Sequence, residues 1–261
     1  MLAHIGLTFI SLLIAVAVGL PLGIFIAKRK KFAAPVLGFT GVLQTIPSIA
    51  LLGFMIPLLG IGPKPAIVAL FLYALLPIVR NTFTGITGVD PAVREAAKGM
   101  GMSGRQILTK VELPLALPVI LAGIRTATVI NVGVATLAAY IAAGGLGEFI
   151  FGGIALNNTN MILAGAIPAA ILAIFFDFIL SKVQKINLRK LRTAFWLLPV
   201  SIFLLSSFYL LPDLYGSKML AGFTPEFMGR EDGYLGLKRM YHLNIRNVVI
   251  SDAVMYKAAY E

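Results

Sequence analysis

The chain has 261 residues, 59% of them apolar and only 13% charged, with a mean hydropathy of +0.92. A soluble domain carries about twice that share of charge, so the composition argues against a water-soluble globule and excludes a disordered polymer, which has too little apolar surface to bury. The absence of cysteine removes disulfides, thiolate metal sites and cysteine nucleophiles, and a net charge of +11 leaves nucleic acid and acidic lipid open until the charges are placed.

A spanning helix needs roughly 20 mostly apolar residues, because each residue rises ~1.5 Å across a hydrocarbon core ~30 Å thick. Ile5–Ala27 carries no charge and ends at Lys28-Arg29-Lys30-Lys31. With no basic residue ahead of the run and four behind it, this reads as a mature helix rather than a cleaved signal. Phe32–Pro63 is uncharged, and Pro65–Val79 runs through Arg80 to about Ile86. Leu113–Glu148 is interrupted only by Arg125, Phe149–Phe176 is uncharged before Asp177, and Thr193–Pro212 is uncharged again. Spanning strands are short and alternating; these runs are continuous, so six helical spans are expected.

Lysine and arginine set the orientation. Four basic residues fall in 28–31, five in 80–110 and five in 182–192, against Lys64 alone on the other side. The three basic loops are therefore expected in the cytoplasm, with both ends and the 213–261 tail outside. Small residues such as Gly19 and Gly23 permit close helix contact. Pro21, Pro47, Pro57, Pro77, Pro118, Pro168 and the Gly144-Gly145-Leu146-Gly147 run are read as general packing, or else as broken helices lining a path.

The richest segment lies between the third and fourth spans. Asp90 before Pro91 is a helix-start signal, Glu95-Ala96-Ala97-Lys98 extends a short helix, and Gly99 and Gly101 stop it. A second helix from Ser103 to Leu113 leads into the next span. Two short helices joined at a glycine turn make a protrusion suited to a partner's groove. Gly99-Met100-Gly101-Met102-Ser103-Gly104 also matches G-x-G-x-x-G, but that motif binds a dinucleotide only between a strand and a helix, and here a helix precedes it. No G-x-x-x-x-G-K-[ST] loop occurs, so no ATP site is recognisable.

Glu95-Ala96-Ala97, then Gly101, then Val111-Glu112-Leu113-Pro114 resembles the cytoplasmic loop of ABC importer permeases, with every spacing intact. Gln44-Thr45-Ile46-Pro47-Ser48 and Ala142-Ala143-Gly144-Gly145-Leu146-Gly147 resemble the subfamily importing osmoprotectants, over nearly all of residues 1–190. The resemblance implies an all-α integral membrane protein of six transmembrane helices, of the binding-protein-dependent importer permease type. It also implies an ATPase-coupling loop of Glu95, Ala96, Ala97, Gly99, Gly101, Leu113 and Pro114. Its implied partners are ABC ATPase subunits, which bind the ATP, a second permease copy, and a substrate-binding protein or fused binding domain in addition to the lipid bilayer. No catalytic residue, resident cofactor, metal or nucleic acid is expected.

Arg125 and Asn131 are the candidate intramembrane polar residues. Arg125 follows Pro114 by eleven residues, or ~16 Å of helix, and needs a partner or water; it either lines the pathway or pairs between helices, the structural role being favoured. Asp177 and Glu148 are expected at span ends, and His4 and His242 have no matching neighbours. Asn157-Asn158-Thr159 fits a glycosylation sequon.

Residues 1–212 are thus expected to be the transmembrane domain, and the composition changes at 213–261, with six basic and six acidic residues. Phe223-Thr224-Pro225-Glu226-Phe227, Arg230-Glu231-Asp232-Gly233-Tyr234, Gly236-Leu237 and Tyr241 resemble an internal segment of osmoprotectant-binding proteins, and Ser251-Asp252 and Met255-Tyr256-Lys257-Ala258 continue the likeness. The tail is accordingly expected to be a truncated, α/β-derived piece of an extracytoplasmic binding domain, lacking a block after about Lys218. Tyr234, Tyr241 and Tyr256 are relics of an aromatic cage or ordinary core and surface rings. The function implied is the permease subunit of an ATP-driven importer of glycine betaine, choline or carnitine; a secondary transporter or channel, or a non-transporting remnant, are the alternatives.

Overall fold

Uninterrupted apolar sequence produces four long helices among the residues that the computed structural model describes, which are 1–184, 220–230, 233–241 and 246–249. They are α1 (Leu2–Lys28), α4 (Pro63–Thr87), α7 (Leu113–Ala135) and α9 (Thr159–Gln184). Each has at least 23 residues, which at ~1.5 Å per residue covers a ~30 Å hydrocarbon core. Between them lie the shorter α2 (Ala33–Thr45), α3 (Ser48–Leu59), α5 (Pro91–Gly99), α6 (Gly104–Ile107) and α8 (Gly147–Ala155).

Helix α4 is the centre of the bundle, with α1 and α7 against it and α2 and α3 packed on its flank; α9 attaches through α7, and α8 packs on α9. Contact in lipid rests on close approach, because the apolar solvent offers little hydrophobic drive. A β-carbon on Gly19 would lie 2.9 Å from Ile78 Cγ2, and one on Gly23 would lie 2.5 Å from Thr82 Cβ. On the opposite side, a β-carbon on Gly123 would lie 2.7 Å from the Pro77 carbonyl. Buried hydroxyls are satisfied within their own helices: Thr82 Oγ1 donates to the Ile78 carbonyl at 2.7 Å and Thr128 Oγ1 to the Ile124 carbonyl at 2.8 Å.

Two expected spans are redrawn. Residues 32–63 do not form one straight helix, because the chain bends by 98° between Lys30–Thr45 and Ser48–Leu59. Gln44-Thr45-Ile46-Pro47-Ser48 is that bend. Ile46 is extended (φ −67°, ψ 128°) ahead of Pro47, as a residue before proline prefers. The freed groups are taken up locally. Tyr73 Oη donates to the Ile46 carbonyl, and Gln44 Nε2 donates to the Tyr73 carbonyl at 2.9 Å. Residues 113–176 do not divide at Glu148 either. Helix α7 stops at Ala135, a 3-10 stretch Leu137–Ile141 follows, and the chain reverses through positive φ at Ala142, Gly144 and Gly145. Helix α8, at nine residues, is too short to cross. The span is α9, capped by Asn158, whose Oδ1 accepts from the Met161 N–H at 3.2 Å.

Helix α9 runs to Gln184, and Asp177 lies within it. Its charge is met by Arg125, and Glu148 lies in the first turn of α8. The bent pair raises the possible crossings among the described residues to five; the expected sixth span, 193–212, lies outside them. In the tail, β1 (Leu220–Phe223) pairs in parallel with β2 (Arg246–Val249), with the helices Pro225–Gly229 and Tyr234–Tyr241 between them in sequence. The Tyr234 ring is buried 5.2 Å from that of Phe223. Tyr256 lies outside the described residues.

The Gly123 contact predicts that Gly123→Val lowers the thermal midpoint of the detergent-solubilised protein, by the ~1–3 kcal/mol typical of overpacking. Gly133→Ala on the same helix, where a β-carbon meets nothing within 4 Å, is expected to leave the midpoint unchanged.

Candidate functional site

The segment joining α4 to α7 is built by local signals. Helix α4 ends with the Gly88 N–H on the Thr84 carbonyl at 2.8 Å and the Val89 N–H on the Ile86 carbonyl at 3.3 Å. Asp90 then caps α5, its Oδ1 accepting from the Ala92 N–H at 2.9 Å, with Pro91 in the first helical position, where a missing N–H costs nothing. Helix α5 ends at Gly101, whose φ of +77° belongs to the left-handed region that glycine enters freely. The Gly101 and Met102 N–H groups return to the Lys98 and Ala97 carbonyls at 2.9 and 3.1 Å. Ser103 and Gln106 form a capping box that starts α6.

The second expected helix, 103–113, is present as α6 followed by a π turn over Leu108–Glu112, which runs into α7 without a break. Pro114 explains the wide turn. It has no N–H, and its ring would crowd the Lys110 carbonyl in a regular helix; the Leu113 N–H bonds instead to the Leu108 carbonyl, five residues back.

The seven residues expected to form the coupling loop therefore divide into four groups. Glu95, Ala96 and Gly99 are exposed on α5, Ala97 is 1% exposed on its inner side, and Gly101 makes the turn. Leu113 and Pro114 are half-buried at the root of α7, Leu113 packing on the core around Leu12, Ile86 and Ile120. Val93, Ala96 and Met100 recur at helical spacing on the open side, with Val93 40% and Met100 72% exposed. That is a short amphipathic helix presenting an apolar stripe flanked by Glu95 and Lys98, the geometry of a helix that lies in a groove. Arg94 and Glu112, not singled out from the sequence, hold this elbow together: Arg94 Nη2 donates to the Ile86 carbonyl, and its Nε stands 3.0 Å from Glu112 Oε1. Lys28, at the end of α1, adds a bond from Nζ to the Gly104 carbonyl at 3.2 Å.

Arg125 and Asn131 do not share a site. Arg125 faces α9 and pairs side-on with Asp177, Nε to Oδ1 at 2.5 Å and Nη2 to Oδ2 at 2.6 Å. Asn131 faces α1, fully buried, with Nδ2 donating to Ser11 Oγ at 3.1 Å. His4 is also fully buried, its Nε2 3.0 Å from the Val132 carbonyl; it joins α1 to α7. His242 lies outside the described residues. The G-x-G-x-x-G match sits between two helices, with no strand before it.

Residues 19–193 match the family described as "binding-protein-dependent transport system inner membrane component". The chain is 48% identical over 182 residues to the glycine betaine/carnitine/choline transport system permease protein OpuCB of Bacillus subtilis, covering 70% of this chain and 84% of that one. It is 49% identical over 186 residues to the osmoprotectant import permease protein OsmW of Salmonella typhimurium, covering 69% and 86%. Among solved structures, an inward-facing form of the MetNI methionine ABC transporter superposes with a TM-score of 0.65 at 25% identity, over 70% of this chain and 92% of that chain.

Two outcomes follow from this geometry. Gly101→Ala is expected to cost ~1–2 kcal/mol in the turn and to speed amide hydrogen exchange across 91–102, whereas Gly99→Ala, whose β-carbon meets nothing within 4 Å, leaves exchange unchanged or slower. Replacing Asp177 alone by asparagine is expected to destabilise the solubilised protein more than the double change Arg125→Met with Asp177→Met, since the single change strands a charge between helices; thermal unfolding of the three proteins checks it.

Proposed function

Because the chain belongs to the family of binding-protein-dependent transport system inner membrane components, a multi-pass inner-membrane permease, we propose that it carries osmoprotectants and quaternary amines in an ATP-driven importer. The substrates follow from a relative at 48% identity named for glycine betaine, carnitine and choline and one at 49% named for osmoprotectants. ATP is bound and hydrolysed by separate ATPase subunits, which dock on the 90–113 elbow. Two permease copies enclose the pathway, and a substrate-binding protein or fused binding domain delivers the cargo.

The observation that carries this reading is the exposed Val93–Ala96–Met100 stripe beside Glu95, held on an elbow rooted in two packed spans. Orientation supports it. The elbow shares its end of the bundle with Lys28, through the bond to Gly104, and positive residues favour the cytoplasm. Both termini then lie outside, and 1–212 is the transmembrane domain. The tail 213–261 is then the fragment of a binding domain, in keeping with its parallel strand pair and intervening helices. Arg125 engages both oxygens of Asp177 and offsets its charge, so the pair joins helices rather than offering a free counter-ion to a cationic cargo. ATP binding shifts the population from inward-facing to outward-facing, with the elbow as the mechanical link.

Glu95→Lys and Met100→Glu are each expected to cut ATPase co-purification and substrate uptake by about tenfold, the equivalent of ~1.4 kcal/mol of docking energy, with membrane insertion unchanged. Parent-level uptake with either variant would overturn the docking assignment.

A further inference from the structure

We propose that Arg94 is a positioning residue of the elbow: its guanidinium ties the docking helix α5 to the last turn of α4 and to the root of α7 together, so that displacement of α5 moves both spans. The inference rests on the proposed docking of an ATPase on α5 and adds which group transmits the movement.

Three observations converge on this side chain. It lies on the inner side of α5, turned away from the exposed stripe of Val93, Ala96 and Met100, and its side chain is 26% exposed. Its Nη2 donates to the Ile86 carbonyl, which also accepts from the Val89 N–H, in the final turn of α4, where a cation complements the helix dipole. Its Nε stands 3.0 Å from Glu112 Oε1, and that carboxylate is 13% exposed. Glu112 closes the π turn that Pro114 forces at the root of α7, and such turns mark places where a helix yields. Otherwise α5 is held by the Gly88-Val89 link, by the Ala97 contact and by backbone bonds to its own turn. Among the described residues, Arg94 supplies the side-chain links from α5 to both spans.

Arginine meets both demands, because its Nη2 donates to the Ile86 carbonyl while the delocalised cation lies beside the Glu112 carboxylate, whereas lysine places one point charge. The two contacts are also separable. Exchanging the charges, Arg94→Glu with Glu112→Arg, restores an ion pair, but glutamate has no donor for the Ile86 carbonyl.

The test is uptake per ATP hydrolysed by the assembled transporter, permease with its ATPase and binding protein, in proteoliposomes with glycine betaine as cargo. Arg94→Met is expected to retain the ATPase and its hydrolysis while uptake per ATP falls about tenfold, within the ~5–150-fold span of ordinary coupling energies. Arg94→Lys should rank between Arg94→Met and parent. The charge exchange should remain below Arg94→Lys. Glu112→Gln, which spares the Ile86 bond, carries the test together with Arg94→Lys should Arg94→Met fail to reach the membrane, and is expected to lose about twofold to threefold. Uptake per ATP at the parent level in Arg94→Lys and Glu112→Gln, or in Arg94→Met, overturns the proposal. Loss of ATPase binding in Arg94→Met also overturns it, since the residue would then belong to the docking face. Failure of the parent protein to bind any ATPase sinks the proposed function itself and is distinguishable from all of these.

Discussion

The close approach of α1 and α7 to α4 is the constraint on which the rest of the molecule depends. Lipid supplies no hydrophobic drive between helices, so contact has to come from backbones that fit together. Gly19 and Gly23 let α1 lie against Ile78 and Thr82, and Gly123 lets α7 lie against Pro77 and Asn81. The same two helices, α4 and α7, are the two arms of the elbow. Rigid seating of α7 on α4 therefore gives α5 a firm base.

A second constraint is that backbone and charge must find partners inside the bundle. The 98° bend at Ile46-Pro47 leaves groups that Tyr73 and Gln44 take up, and the turn after α7 is anchored where the Ile141 carbonyl accepts from the Gly62 N–H at 2.8 Å. Both resembling motifs, 44–48 and 142–147, are thus instructions for breaking helices in a controlled way. They meet across one apolar cluster, in which Leu51, Leu52 and Ile56 pack with Ala138, Ile141 and Ala143. The Arg125–Asp177 pair follows the same logic for charge, and through it α9, whose outward face is apolar, stays on α7.

The elbow itself was legible from local chemistry. The Asp90-Pro91 cap, the glycine turn at 101 and the Ser103 start are each written in adjacent residues, and the structure places each where those signals put it. Arg94 and Glu112 were not legible as a pair. Eighteen positions separate them, beyond any helical repeat, and a charged pair in a polar loop looks like solvated surface until the π turn swings Glu112 under α5.

By itself the sequence determined that this is a helical membrane protein, where its first and third spans run, where the fourth begins, and where the loop between α4 and α7 turns, because these depend on continuous apolar length and on neighbours a few residues apart. Tertiary structure alone decided the remaining boundaries. Asp177 looked like the point where apolar sequence ends, yet α9 runs on through it to Gln184, and Arg125, 52 residues away, meets its charge. Residues 32–63 looked like one straight helix because none is charged, yet an extended residue before proline bends the chain by 98°, held by a tyrosine 27 residues on. Hydropathy measures the cost of an unpartnered group, and only the fold supplies the partner that removes it.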